Sequence, residues 1–311
     1  MIDAPRQTQR LPRGVALALA FATVYLVWGS TYLAIRIGVE HLPPALFAGS
    51  RFLVAGLILV LVALLRGGRL PGSRRDWSLI ALTGVLMLVG GNGLVTWAEQ
   101  WVPSNQAALI VATSALWMAG FGALGAAGDR LGPVTLGGLL LGFLGVGLLV
   151  HDGLGDALGR PGGYLAVLLA ALFWAAGSVL SRRYPVACPT LIYAGLQSLI
   201  AGAVLVLIGL ARGELDRWTW QADGLLALGY LVVFGSCIAY AAYFWLVRQV
   251  TPAQLGTYAY VNPAVAVLLG WLILDERLTA MQVIGTVVIL AGVLLVSVEA
   301  QGRRRAARVA R

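Results

Sequence analysis

Runs of apolar residues, each closed by a short polar or arginine-bearing link, recur ten times along the chain. They fall near residues 14–35, 44–65, 77–98, 104–126, 133–150, 162–181, 189–210, 224–247, 252–273 and 279–298. Runs of about 17–25 apolar residues have the length an α-helix needs to cross a bilayer. The short alternating segments of a membrane β-barrel are absent, and the links are too short to hold a soluble domain. The first run is longer than the apolar core of a signal peptide and carries a tryptophan that recurs later, so it is expected to stay as a first helix.

Composition agrees with the pattern. Of 311 residues, 59% are hydrophobic and only 11% charged, too few charges to cover a water-soluble surface. All 22 basic residues are arginine, which excludes P-loop and Schiff-base lysine chemistry. The net charge of +9 does not point to nucleic acid, because the arginines sit in links and at the C-terminus. Sixteen lie at the two termini and in the links near 66–76, 127–132, 182–188 and 248–251, five lie in the alternate links, and Arg51 falls inside a run. The positive-inside rule then places both termini of a multi-pass membrane protein in the cytoplasm. Cys188 and Cys237 are the only cysteines and offer neither a disulfide framework nor metal spacing. No metal or cofactor is expected.

Shifting the sequence by 146 aligns residues 28–64 with 174–210 without a gap, with 12 identities in 37 positions. Trp28/Trp174, Arg36/Arg182, Pro43/Pro189, Gly49/Gly195 and Gly56/Gly202 are among them. A shift of 147 pairs Asp129-Arg130-Leu131 with Glu276-Arg277-Leu278, Gly138 with Gly285 and Gly145 with Gly292. The chain therefore reads as two repeats, 14–150 and 162–298, of five helices each. An odd helix count inverts the second repeat in the membrane. Inverted repeats are the architecture of alternating-access transporters, with the substrate site between the halves near midplane. The expected fold is thus all-α: ten transmembrane helices in two inverted five-helix repeats.

Several motifs carry a family likeness: Trp28-Gly29-Ser30-Thr31-Tyr32, Arg51-Phe52, Asn92, Tyr258-Ala259-Tyr260-Val261-Asn262-Pro263 and Asp275-Glu276-Arg277-Leu278. With them the sequence resembles the EamA family of the drug/metabolite transporter superfamily over nearly its whole length, and within it the YedA-type exporters. The resemblance implies a ten-helix inner-membrane exporter of small metabolites or drugs. It leaves the substrate open.

Candidate cargo-contacting residues are the polar and aromatic ones inside the runs. Trp28 and Tyr32 share a stripe with Tyr25, flanked by Thr31, and Trp174 recurs at the place equivalent to Trp28. Such a wall suits a ring or an ammonium group, although core filling is the commoner use of an aromatic stripe. Arg51 lies well inside a run, where a charge costs about 2.5–3.5 kcal/mol on insertion scales and so needs a partner or a wet face. It suits a substrate carboxylate or a gating pair with Glu99; a structural or snorkelling role stands beside these. Gly90-Gly91-Asn92-Gly93 loosens the third run and offers Asn92 as donor and acceptor. Tyr258 and Asn262 share a face ahead of Pro263, and Tyr240 lies on a face with Ser236 and Tyr243. Glu99, Asp129 and Glu276 stand at run ends, as gating or structural charges. The glycine-rich fifth and tenth runs are read as scaffold, or as contacts of a homodimer.

The chain lacks H-E-x-x-H, G-x-S-x-G and an acidic pair at midplane, so it is not read as an enzyme. The expected function is export of amino-acid-like or drug-like amphiphiles through a central cavity. Multidrug efflux of cationic or aromatic compounds is the first alternative. A structural or receptor-like membrane protein is the second.

Overall fold

The computed structural model describes residues 12–124, 132–151, 159–250 and 258–309. Its elements, in chain order, are α1 (Arg13–His41), α2 (Pro44–Leu65), α3 (Arg74–Ala98), α4 (Ser104–Val111), α5 (Ser114–Gly122), α6 (Pro133–Val150), α7 (Gly159–Arg183), α8 (Thr190–Ala211), α9 (Ala222–Val247), α10 (Tyr258–Leu274) and α11 (Ala280–Val309). There is no strand among the described residues. Seven helices (α1, α2, α3, α6, α7, α8 and α9) are long and apolar enough to cross a membrane. The ninth and tenth expected spans contain shorter apolar helices, Val261–Leu274 and Ala280–Val296.

The fourth expected span is not one helix. It breaks between α4 and α5, where the Thr113 hydroxyl donates to the Ile110 carbonyl and competes with the helical ladder. The third stays continuous but changes pitch: Val85–Gly93 is π-helical. So is Leu231–Ile238 in α9, the same stretch one repeat later. The π form is rare and concentrates at functional sites.

Helix starts follow the prolines. Pro44 and Pro133 stand in the first turns of α2 and α6, where a missing N–H costs nothing. The remaining orphan N–H groups of three helices are met by carboxylates from distant parts of the chain. Glu214 accepts from Ala45 N and Leu46 N at 2.9 Å each. Glu299 accepts from Thr135 N and its hydroxyl. Glu276 accepts from Ser104 N, Ser104 Oγ and Asn105 N at 2.8, 2.8 and 3.0 Å. A carboxylate at a helix N-terminus gains both the bonds and the macrodipole. Replacing Glu214 by alanine should lower stability by about 1–2 kcal/mol, read as a drop in thermal midpoint in detergent with the assembled chain otherwise intact.

Two antiparallel helix pairs join the repeats. In the α2–α8 pair, a methyl placed on Gly49 would meet Val206 N at 2.8 Å and Gly202 O at 3.1 Å. On Gly195, its repeat mate, a methyl would meet Val60 N at 3.0 Å and Gly56 O at 3.1 Å. Val60 and Gly56 are the mates of Val206 and Gly202, so the contact is reciprocal. The α6–α11 pair repeats this logic: Gly145 lies against Gly285 and Ile289, and Gly292 against their mates Gly138 and Gly142. Backbones approach this closely only where Cβ is absent. The glycine faces of the fifth and tenth runs are thus spent on each other within one chain. Their outward leucines, such as Leu140 (75% exposed) and Leu294 (53%), are left for lipid or a second copy.

Candidate functional site: a cavity between the repeats

The π-helical stretches of α3 and α9 face a cavity that also takes residues from α1, α2, α4, α7 and α10. The cavity gathers residues far apart in sequence. Trp28, Thr31 and Tyr32 enter from α1, Arg51 and Phe52 from α2, and Gly91 and Asn92 from α3. From the second repeat come Trp174, Tyr240, Tyr258 and Asn262, together with Gly235 and Ser236. All nine residues expected to contact cargo therefore line one space. Tyr25, the first residue of the α1 stripe, does not; its ring packs on Phe21 at 5.5 Å. Trp117, the third deep tryptophan, packs on Phe121 and Phe143, away from the cavity.

One wall is aromatic. The Trp28 ring contacts Trp174, Tyr240, Tyr243 and Tyr258, with centroids 4.9–6.4 Å apart. Edge-to-face geometry dominates, 85° against Trp174 and 87° against Tyr258, the arrangement ring quadrupoles favour. The indole N–H groups are used: Trp28 Nε1 donates to Gly235 O at 3.2 Å, and Trp174 Nε1 to Tyr258 Oη at 3.3 Å. The bond from Trp28 shows what the π-helix supplies, since its irregular ladder lets a backbone carbonyl accept from another helix.

The cavity also carries charge. Arg51 is 4% exposed. Its Nε donates to Ser236 Oγ at 2.8 Å, and its guanidinium sits 4.8 Å from the Phe52 ring. Nη1 is buried with no hydrogen-bond partner among the described residues. Gly235 lets the group in: a methyl there would lie 3.2 Å from Arg51 Nη2. Asn262 Oδ1 is a second buried polar atom without such a partner. One cation donor and one amide acceptor thus stay unused in a mainly apolar space.

Beside the cavity, Tyr240 Oη donates to Gln197 Oε1 at 2.8 Å and Gln197 Nε2 donates to Thr83 Oγ1 at 2.7 Å. Thr83 shares a hydrogen with Tyr193, whose hydroxyl donates to Ser181. Gln197, the repeat mate of Arg51, is therefore saturated where Arg51 is not. Among the expected charges, Glu276 is a helix cap and Glu99 is fully buried with both carboxylate oxygens unbonded among the described residues. Glu99 does not hydrogen-bond Arg51, whose Nε is taken by Ser236. Asp129 lies outside the described residues. No group of three or more His, Cys, Asp or Glu side chains suited to a metal occurs among the described residues.

Ser236 is legible in the sequence as a polar residue on the face of Tyr240, whereas Gly235 is not: a shift of 146 carries the π-helical Val85–Gly93 onto Leu231–Ala239, but the mate of Gly235 is Val89, which does not line the cavity.

A family model for the EamA-like transporter family matches residues 14–151 and again 161–298. The chain belongs to the EamA-like transporter family. Among curated relatives of this EamA chain, the "Uncharacterized inner membrane transporter YedA" of Escherichia coli K12 is 42% identical over 280 residues, covering 89% of each chain. The "Probable amino-acid metabolite efflux pump" of the same strain is 27% identical, covering 88% of this chain and 91% of its own. A solved crystal structure 25% identical to the EamA chain superposes with a TM-score of 0.66, over 93% of this chain and all of that one. Membrane transport is what the family description and the names of the two curated relatives share.

Proposed function

We propose that this EamA protein exports small amphiphiles that carry one carboxylate, amino acids or close metabolites, through the cavity between its repeats. The observation that carries the reading is Arg51: a buried guanidinium lining the cavity with an unpartnered Nη1, in a space also lined by the aromatic cluster. A carboxylate would complete the guanidinium fork, the geometry arginine recognises best. Asn262 Oδ1 can accept from the ammonium group, and the rings of Trp28 and Tyr258 can cover the side chain. A cargo with several phosphates would leave most of its charge unmatched, because Arg51 is the only cationic side chain lining the cavity among the described residues. The efflux activity printed in one relative's name supports the direction.

The path is alternating access by an inverted pair of repeats in the inner membrane, with both termini cytoplasmic. The antiparallel, reciprocal glycine contacts and the arginine distribution support this arrangement. A homodimer would use the outer faces of α6 and α11. The test is reconstitution in liposomes with a labelled panel of neutral amino acids, in counterflow. Exchange of at least one carboxylate-bearing amphiphile is expected. Exchange of none of them, with intact folded protein, sinks the reading.

The five-ring cluster favours a second cargo class, cationic aromatic drugs, through cation–π contact. Under that reading Trp28→Leu should weaken binding of a cationic aromatic dye by about 5- to 30-fold, from roughly 1–2 kcal/mol of desolvated cation–π energy. Binding of an aliphatic amino acid should change far less. Fluorescence polarisation of the dye and calorimetry of the amino acid separate the two.

A further inference from the structure

Among the described residues, Glu99 is the one buried carboxylate that helix capping and the cargo reading leave unexplained. It follows α3 directly and its residue is 0% exposed. Both of its carboxylate oxygens lack a hydrogen-bond partner among the described residues. An ionised carboxylate in that state is heavily penalised, and proteins meet the cost by pairing the charge or by neutralising it with a proton.

The surroundings decide which. From α1, Arg36 donates to the backbone carbonyl of Glu99 and pairs by its Nε with Glu40 at 3.5 Å. Its bonds therefore go to other groups, and it favours the charged carboxylate of Glu99 only through space. Tyr32 from α1 and Arg51 from α2 act on the carboxylate only through space, and Arg51 is bonded to Ser236. From α7, Tyr164 is turned to Gln106, to which it donates at 2.6 Å. The remaining charge is Glu276, which repels Glu99. Three donors at the α4 N-terminus hold the Glu276 side chain in place. The chain is bent toward them by Asp275, whose φ of 51° is left-handed, and by a bond from Glu276 N to Gly270 O at 3.0 Å.

We propose that Glu99 is a proton-binding site tied to the Glu276 latch. With Glu276 seated on Ser104 and Asn105, this end of the molecule is shut and Glu99 carries a proton as a neutral carboxylic acid. When Glu276 leaves the α4 N-terminus, water reaches Glu99, the repulsion is gone, and the acid gives its proton to that water. The resulting carboxylate is then stabilised by Arg36 and Arg51. Closure of this end takes one proton from the water there before that water is expelled, and opening returns one to it, so the protonation state of Glu99 follows the conformational cycle. The proposal rests on the alternating-access reading only for that opening. The proton site itself is read with no cargo present.

The experiment is infrared difference spectroscopy of the purified full-length protein, titrated across the neutral pH range. A C=O stretch of a buried protonated carboxylic acid should be present in the wild type and missing from Glu99→Gln, with the helical amide bands unchanged. In Glu276→Gln, which keeps one acceptor oxygen for the α4 N-terminus but loses the charge, the midpoint of that band should move down, because a nearby like charge is removed. In Arg36→Gln it should move up. A spectrum without the band, or one that survives Glu99→Gln, overturns the proton site. A band whose midpoint ignores Glu276→Gln overturns its link to the latch. Failed counterflow with the band in place would instead count against the cargo reading.

Discussion

Replacing Arg51 by glutamine should weaken binding of a carboxylate-bearing cargo by about 30- to 150-fold, while the chain folds as before. The magnitude follows from losing a charge-assisted, two-point contact worth roughly 2–3 kcal/mol. The glutamine is expected to be tolerated because the repeat mate at this depth is Gln197, buried at 0% exposure in an equivalent helix. Ser236 keeps a donor in reach, since Arg51 meets it through Nε at 2.8 Å. Thermal stabilisation by ligand, which follows RT ln(1 + [L]/Kd), reads the change directly. An amino acid that stabilises the wild type should need about a hundred-fold higher concentration in Arg51→Gln. The methyl ester of the same amino acid, lacking the carboxylate, should bind both proteins alike. Equal stabilisation of both by the free acid would make Arg51 a structural residue and move the cargo toward cationic aromatics.

The second large effect is on assembly. Gly56→Leu should abolish a folded, monodisperse product, or cost 3 kcal/mol or more. A methyl alone would already sit 2.7 Å from Leu199 N and 2.8 Å from Gly195 O. Those are backbone atoms of α8, which cannot swing aside, and overpacking of this kind typically costs about 1–3 kcal/mol or more per site. Gly147→Ala in α6 is the control, because nothing lies within 4 Å of its added carbon. Size-exclusion profiles and thermal midpoints in detergent distinguish the two. A normal profile for Gly56→Leu would mean that the repeats do not meet along this face.

Much of this was legible in the chain because a membrane span must satisfy its own backbone, so hydropathy maps directly onto helices. The repeat was legible because Trp28/Trp174 and Gly49/Gly195 survive in register. Nine residues chosen for polarity or aromaticity inside apolar runs met in one cavity, since lipid-facing positions rarely tolerate such side chains. The missing parts depend on long-range geometry. Nothing local to Glu276 says that it caps a helix beginning at Ser104, or that Glu214 caps one beginning at Pro44. The break at Thr113 lies in a run as apolar as its neighbours, and Ala112-Thr113 carries no proline or glycine to announce it. The π-helical pitch likewise has no composition of its own; only the glycines at 90, 91 and 93 hint at it in α3.

The reciprocal glycine seams have a further consequence. A surface on which Gly49 meets Val206 while Gly195 meets Val60 is complementary to itself. It would join two copies of a half-length chain as well as it joins the halves of this one. In such a pair every residue would occur twice, and a cavity on the axis would hold two guanidiniums facing one cargo. Fusion into a single chain removes that duplication while leaving the seam intact. Position 51 can then remain a charged arginine while its counterpart becomes Gln197, bound into an uncharged chain of hydroxyls and amides. The symmetry that holds the molecule together is thus kept in its glycines and given up in its cavity, which under the proposed function would let a two-fold frame hold an asymmetric cargo by one end.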